Sequence, residues 1–243
     1  ASKGEGLGNQ FLANIRETDA ILHVLRCFDN ENIIHVDDSI DPIRDKETID
    51  MELQLKDLET ADKKLEKVKR AAKTGNKDAQ KEEAVLLKIK TALEAGVSLR
   101  AIEFSDEDYA DFVKPSQFIT DKPVMYVCNV DEGAAVSGNA YVERVREAVK
   151  DENAEVLVLA VGTEADINEL DDYEERQMFL SDIGLEEPGS AKLIRSAYKL
   201  LNQQTYFTAG VKEVRAWTVN VGAVEGKNYV VKDGDVMHFL FNV

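Results

Sequence analysis

The chain has 243 residues, of which 44% are hydrophobic and 32% are charged, and its formal net charge is −17. That apolar content is sufficient for one large domain or two smaller ones with a buried core. The acidic excess argues against nonspecific nucleic-acid binding by the chain as a whole. No apolar run approaches the ~18 residues that a membrane-spanning helix needs.

The N-terminal residues predict a helix and then a strand. Residues 9–18 have the spacing of an amphipathic helix. Its apolar face consists of Phe11, Leu12 and Ile15. Residues 20–26 form a continuous apolar run of strand length, which is typical of a parallel sheet buried on both faces. A polar loop follows, with one apolar cluster at residues 33–36.

From about residue 47 the pattern changes to heptads in two runs. The first run consists of Met51, Leu58, Leu65 and Ala72, with Ala61 and Val68 between them. The second run consists of Ala79, Leu86 and Leu93, with Ile89 between them. The break at residues 74–76 predicts an antiparallel helical hairpin with a coiled-coil seam. Its first helix would be roughly 40 Å long. Too few of its faces are apolar for a core element, so we expect the hairpin to project as an arm.

Beyond the arm, the pattern alternates between strand and helix. Residues 123–130 and 155–161 predict strands, and residues 141–150 predict the helix between them. This order is typical of a right-handed crossover in a parallel sheet. Two further helices are predicted at residues 174–185 and 190–202. From residue 205 the chain is β-rich, and Asp233-Gly234 predicts a hairpin. We therefore expect an α/β domain that is interrupted by the arm and followed by a small β module.

The two cysteines indicate the cellular compartment. Cys27 and Cys128 lie in separate apolar runs and in no CxxC pair, so we expect reduced thiols in a core. This usage is typical of the reducing cytoplasm. We expect a cytoplasmic, monomeric protein with no membrane partner.

Residues 129–132, Asn-Val-Asp-Glu, follow a predicted buried strand. They are similar to the Asn-Lys-x-Asp corner that reads guanine, and ligands of α/β sheets bind at such strand ends. An aspartate there accepts two guanine N–H groups, whereas adenine presents an acceptor beside a donor. Glu132 is one methylene longer, which argues against strict guanine specificity, and backbone groups near Val130 could read adenine. Gly162 lies among small residues that would let the backbone approach a base. The alternative is a polar turn after a strand.

Residues 3–8 contain glycines in a GxGxG spacing that is a poor match to a phosphate-binding loop. The lysine precedes the glycines and no strand leads into them. We expect a glycine-rich loop before a helix. No GxxxxGK[ST] motif occurs anywhere in the 243 residues of the sequence.

Long blocks of the chain resemble one family. The blocks are FLANIRETDAILHVLRCFDNENIIHV, the NVDE corner, QTYFTAGVKEVRAWTV and DGDVMHFLFNV. They are similar to the Obg-like ATPases of the YchF type. The resemblance implies a Ras-like P-loop NTPase domain at residues 1–46 and 104–204, a coiled-coil arm at residues 47–103 and a TGS β-grasp module at residues 205–243. It also implies ATP as the nucleotide, held through Asn129 and Glu132, together with Mg²⁺ and association with the ribosome.

The resemblance also indicates missing segments. The family's phosphate-binding loop, first switch and metal-binding aspartate would lie upstream of Ala1, so the sheet here is the distal half of that domain. Part of the TGS module is missing at a seam between Gly222 and Ala223. We therefore expect no metal ligands and no hydrolysis from these residues alone.

His35 is the histidine with a candidate role. One reading is a partly buried loop residue that packs with Ile33 and Val36. The other is a catalytic group that positions water, because this family lacks the usual switch glutamine.

A basic cluster marks the predicted end of the arm. Its members are Lys63, Lys64, Lys67, Lys69, Arg70, Lys73, Lys77 and Lys81. They stand against only Glu66 and Asp78 in a chain of net charge −17. A solvated helix face is one explanation, and an RNA contact on the ribosome is the other.

The sequence thus favours an ATP-hydrolysing switch that associates with the ribosome. A non-catalytic module that binds RNA or the ribosome is the alternative, and a GTPase is the second alternative.

Overall fold

The computed structural model describes residues 7–35, 37, 39–152, 154–209, 213–220 and 236–237. The chain divides into two compact units, one ending at Gly162 and the other beginning at Thr163. Three predicted features fall outside the described residues: most of the glycine-rich segment, the Asp233-Gly234 hairpin and the seam after Gly222.

The first unit is built on a parallel sheet in the order β1-β2-β3. Its strands are β1 (Ile21–Arg26), β2 (Val124–Asn129) and β3 (Glu155–Leu159). Its helices include α1 (Leu7–Glu17), α2 (Pro42–Lys73), α3 (Lys77–Glu94), α4 (Asp106–Asp108) and α5 (Ala140–Val149). Helix α4 continues into a π turn at Tyr109–Val113 and a 3-10 turn at Lys114–Ser116. The parallel sheet and the helical hairpin confirm the predicted α/β class.

Strand β2 is the buried centre of this sheet. Its residues from Val124 to Cys128 are all buried, as their apolar run predicted. Strand β1 differs, because Leu22 and Val24 are exposed while Leu25 is buried. The prediction that β1 is buried on both faces is therefore wrong. In the described sheet β1 is an edge strand that pairs with β2 alone.

Two other apolar stretches are only partly covered. In α1, Leu12 is buried and Ile15 packs against its cluster, but Phe11 is exposed, so the predicted apolar face is not buried throughout. In the loop after β1, Ile33 is exposed and Ile34 is 91% exposed, while Val36 lies outside the described residues. Helical spacing identifies a face, but it does not show how much of that face a neighbour covers.

Helices α2 and α3 form the predicted antiparallel hairpin. Their shared core includes Ala61, Leu65, Leu86, Ile89 and Leu93. Gly75 makes the turn at a φ of 88°, and the Asn76 side chain caps α3 by accepting from the Ala79 N–H. Helix α2 begins at Pro42 rather than near residue 47, and its 32 residues span about 48 Å. Met51 is exposed, so its place in the predicted seam is wrong; Leu53 is buried instead.

The first half of α2 packs into the core of the sheet domain. Leu53 joins Leu12 and Ile119 in one buried cluster. The fully buried Asp57 carboxylate accepts from the Ile119 N–H at 2.9 Å and from the Thr120 N–H at 2.7 Å. The Thr120 hydroxyl donates a third hydrogen bond at 2.8 Å. The expectation that the whole arm lies outside the core is therefore wrong for this half.

A second anchor of α2 is ionic. The buried Lys46 ammonium pairs with Asp50 at 2.7 Å and with Glu152 at 2.6 Å. Glu152 also accepts from the Tyr126 hydroxyl at 2.6 Å. These contacts join the arm to strand β2 and to the loop before β3.

The second unit contains helices and a small mixed sheet. Its helices include the greater part of α6 (Val161–Glu169), α7 (Tyr173–Asp182) and α8 (Gly189–Leu200). Its strands are β4 (Gln203–Ala209), β5 (Val214–Asn220) and β6 (Val236–Met237), in the order β5-β4-β6. Strand β5 is antiparallel to β4, and β6 is parallel to it. The Glu164 carboxylate accepts from the Gly189 and Ser190 N–H groups and so caps α8. In the described part of the chain, no helix is both long and apolar enough to cross a membrane.

Candidate functional site

The carboxyl end of β2 carries the Asn129 side chain. Its Oδ1 accepts a hydrogen bond from the Val161 N–H at 3.1 Å. Because a backbone N–H is a donor, the oxygen of the Asn129 amide must face Val161. The NH₂ group therefore points away from Val161. Among the described residues, no acceptor engages that NH₂ group. The sheet edge therefore presents a fixed pair of N–H donors.

Val130 is buried, and its backbone is partly used by the sheet. Its N–H donates to the Leu159 carbonyl at 3.0 Å. The Val130 N–H is therefore not available to a base, and the predicted backbone contact of Val130 with a base stays a prediction.

The small-residue segment after β3 is a helix start rather than the end of a strand. Strand β3 ends at Leu159, and α6 begins at Val161, so the prediction of a strand through residue 161 is wrong. Gly162 is exposed in the first turn, and a Cβ added there would meet nothing within 4 Å. The backbone at this point faces open space, and the approach of a base to Gly162 stays a prediction.

Asp131 and Glu132 have different tasks. Asp131 caps the short 3-10 turn at Glu132–Ala134 by accepting from the Ala134 N–H at 3.0 Å. Glu132, by contrast, is exposed. In the Asn-Val-Asp-Glu motif, the sequence pattern assigns no function to Asp131. An aspartate three residues before a small residue at a turn is the signal that indicates a cap.

The cysteines lie beside this corner. The Cys27 N–H donates to the Asn129 carbonyl at 2.7 Å, and both thiols are fully buried and free. A hydrogen bond with the Cys128 thiol, and then burial, raise the pKa of Cys27. This confirms the prediction of reduced thiols in a core.

His35 lies in the loop before α2. Its Nε2 is 2.9 Å from an Asp45 oxygen, and its Nδ1 accepts from the Asp37 N–H at 3.2 Å. The proton is thus on Nε2, and both ring nitrogens have partners. His35 is half-buried, as one of the two interpretations predicted; Ile33 is exposed, and Val36 lies outside the described residues. Sequence reasoning missed Asp45, since a residue in the first turn of the next helix gives no local signal of this pairing.

His35, Asp37 and Asp45 place one ligand atom each within 4.8 Å of one another. The Arg44 guanidinium lies 3.4 Å from Asp37 and 3.1 Å from Asp45, so the carboxylates already have a cation. Mg²⁺ prefers oxygen ligands in an octahedral arrangement. In the described part of the chain this cluster does not fit Mg²⁺, and we derive no step through the metal.

The basic cluster lies at the distal end of the arm. Lys64 is half-buried and the other members are exposed. Lys81 pairs with Glu107 at 2.8 Å. Among the described residues, no carboxylate pairs with Lys63, Lys64, Lys67, Lys69, Arg70, Lys73 or Lys77. Nearer the sheet, cations such as Lys46, Lys90 and Arg144 do have acidic partners. The distal end of the arm therefore carries an excess of positive charge.

Comparisons with known proteins identify close relatives. A protein of Escherichia coli O157:H7 named ribosome-binding ATPase YchF is 47% identical over 287 residues, which cover 100% of this chain and 78% of that protein. The protein of the same name from Bacillus subtilis is 43% identical over 289 residues with the same coverage. A solved structure, the Schizosaccharomyces pombe YchF GTPase, matches with a TM-score of 0.80 at 31% identity. No family model matches the chain.

The relatives are longer than this chain. The match covers 92% of this chain but 61% of the Schizosaccharomyces pombe chain. The matched stretch of 287 residues in the bacterial protein also exceeds the 243 residues here, so that protein holds internal residues without a counterpart in this chain.

Proposed function

The chain belongs to the YchF family of P-loop NTPases, and from that membership we propose that the protein is an ATP-hydrolysing switch that associates with the ribosome. The bacterial relatives are named ribosome-binding ATPases, whereas the yeast structure is named a GTPase. The choice of base is thus the main question for this chain.

The bond between Asn129 and Val161 carries the proposal of a base site at this corner, and the exposed Glu132 carries the preference for ATP. The bond holds the Asn129 NH₂ group ready to donate to a ring nitrogen of adenine. The Val130 carbonyl accepts from the adenine amino group, and Gly162 leaves room for the ring. Glu132 stands where the guanine-reading corner has the shorter aspartate. Its extra methylene displaces the carboxylate, so that it cannot accept two guanine N–H groups at once.

Hydrolysis requires groups for the phosphates and Mg²⁺ that the family supplies from its phosphate-binding loop. Bound Mg²⁺ would neutralise charge on the phosphates. The residues described here contribute recognition and orientation of the base. We propose that His35 orients the attacking water once the hydrogen bond between its Nε2–H and Asp45 is broken. Substitution of His35 by glutamine would then lower kcat and leave the Kd for ATP unchanged.

The ribosome-binding part of the proposal rests on the arm. Seven basic side chains that form no ion pair with a described carboxylate lie at its distal end, on a chain whose net charge is −17. Such a local cluster suits the phosphates of ribosomal RNA, whereas the rest of the acidic surface would be repelled. The same observation favours the second candidate, a non-catalytic RNA-binding module.

Nucleotide turnover separates these candidates. Full-length protein is incubated with ATP or GTP, with and without ribosomes, and phosphate release is measured. Faster release from ATP than from GTP is the expected result. Ribosome co-sedimentation without any turnover would favour the binding module, and preferred turnover of GTP would favour the GTPase.

A further inference from the structure

A cavity of about 420 Å³ lies at the amino-terminal end of β2. Pro123 lines it, and β2 begins at the next residue. Asn129 lies at the other end of that strand, roughly 17 Å away at ~3.3 Å per residue. The cavity is therefore separate from the proposed base site.

The lining of this cavity combines apolar and charged side chains. Its apolar members include the fully buried Leu99 together with Ile102, Phe104 and Pro123. The volume lies within the range of small-molecule sites, which combine apolar walls with a few polar groups.

The main polar group in the cavity is the half-buried Asp121 carboxylate. Its Oδ2 accepts from the Tyr109 hydroxyl at 3.0 Å. Burial raises the pKa of Asp121, although the hydrogen bond from Tyr109 and the positive charge of Lys122 oppose the shift. Within the described residues no ammonium or guanidinium group pairs with it.

Two cations lie nearby, and both have other partners. The Lys122 ammonium donates to the carbonyls of Arg16 and Thr18 at the end of α1. Arg100 lines the cavity, but its guanidinium lies 3.5 Å from Asp50. Asp106 adds a second carboxylate to the lining, so carboxylates outnumber the one guanidinium there.

The backbone that presents Tyr109 is unusual. Tyr109 opens the π turn at Tyr109–Val113. π turns are rare and occur often at functional sites. Here the turn carries the hydroxyl that contacts Asp121 and an aromatic ring that lines the cavity.

We propose that this cavity binds a small organic ammonium ion, whose charged group pairs with Asp121 while its apolar body packs against Ile102 and Phe104. Because Asp121 is half-buried, the ion pair is stronger there than one in water. The Tyr109 ring offers a second contact for the cation. This site is independent of the nucleotide corner.

Benzylammonium is a suitable probe, with benzyl alcohol as its neutral analogue. Binding to the full-length protein is measured by calorimetry and by NMR shifts at physiological salt. The variant Asp121→Asn retains an oxygen that can accept from Tyr109, so its fold should be preserved. Asp111→Asn is the matched control, because Asp111 is exposed on the same π turn and does not line the cavity.

The expected result is saturable binding of benzylammonium that weakens at least tenfold in Asp121→Asn and is unchanged in Asp111→Asn. Saturating ATP should leave it unchanged as well. The proposal is overturned if benzylammonium does not bind, if benzyl alcohol binds equally well, or if both variants behave alike.

Discussion

Asn129 Oδ1 and the Val161 backbone N–H, 3.1 Å apart, join the end of β2 to the start of α6. One hydrogen bond thus orients the side chain that faces the proposed base and positions the turn that contains Gly162. Two substitutions at Asn129 separate these roles.

Asn129→Ala should lower ATP affinity on the order of tenfold or more, because it removes both the contact with Val161 and the donors to the base. Asn129→Asp retains an acceptor for the Val161 N–H but has no NH₂ group. We expect it to lose affinity as well while its melting temperature stays near that of the wild type. Displacement of a fluorescent ATP analogue gives both affinities. Wild-type affinity in Asn129→Asp would exclude the donor role.

Glu132→Asp should shift the base preference towards guanine, because the shorter carboxylate can accept two N–H groups in register. We expect the ratio of GTP to ATP affinity to rise on the order of tenfold. Competition titrations with both nucleotides measure this ratio. Asp131→Glu serves as a comparison, since Asp131 caps a turn. An unchanged ratio in Glu132→Asp would remove Glu132 from the base site.

Charge reversal at Lys69, Arg70 and Lys73 should weaken ribosome binding. It should also reduce the slope of log K against the logarithm of the salt concentration by roughly 2 to 3. Co-sedimentation at several salt concentrations measures both effects. The matched control reverses Arg146 and Lys150, which pair with Glu143 and Glu147 on α5 and in the turn after it. Equal co-sedimentation of the arm variant and the wild type would refute the RNA contact.

Asp57→Ala should destabilise the first unit by about 3 kcal/mol, because two backbone N–H groups and one hydroxyl lose their buried acceptor. Urea unfolding measures the change. Glu59→Ala, an exposed acidic position on the same helix, should cost less than about 1 kcal/mol. Similar losses in the two variants would show that Asp57 does not anchor the arm.

His23 should make stability depend on pH. Burial lowers the pKa of His23 below its ordinary value of 6.5, although Asp50 opposes the shift. As the pH falls below 6.5, the unfolded chain binds a proton that the folded state does not, so stability decreases. His23→Phe keeps a ring beside Tyr126 and should flatten this slope between about pH 7.5 and 5.5. Equal slopes in urea unfolding of both proteins would contradict the assignment.

Elements with a strong pattern could be predicted from the sequence. The apolar run of β2 and the heptads of α2 and α3 each specify burial through local spacing. Phe11 and Met51 fit the same patterns but are exposed, because exposure depends on which neighbours cover a face. The small residues of segment 159–163 predict the end of a strand, but they are equally compatible with the first turn of a helix, which is what the structure contains.

Long-range polar contacts could not be predicted. Asp57 is 62 residues from Ile119 in sequence, and Lys46 is far from Glu152. Both residues lie on a helix rich in charged side chains, and the sequence pattern does not distinguish these two buried residues from the exposed ones. In the candidate site, Asn129 and Glu132 were found through their motif, whereas the Val161 donor depends on where α6 begins.

The most direct test of the account is calorimetric titration of the full-length protein with ATP and with GTP under the same conditions. The geometry of Asn129, the Val130 carbonyl and Glu132 predicts a lower Kd for ATP than for GTP. A lower Kd for GTP would contradict the assignment of this corner to adenine.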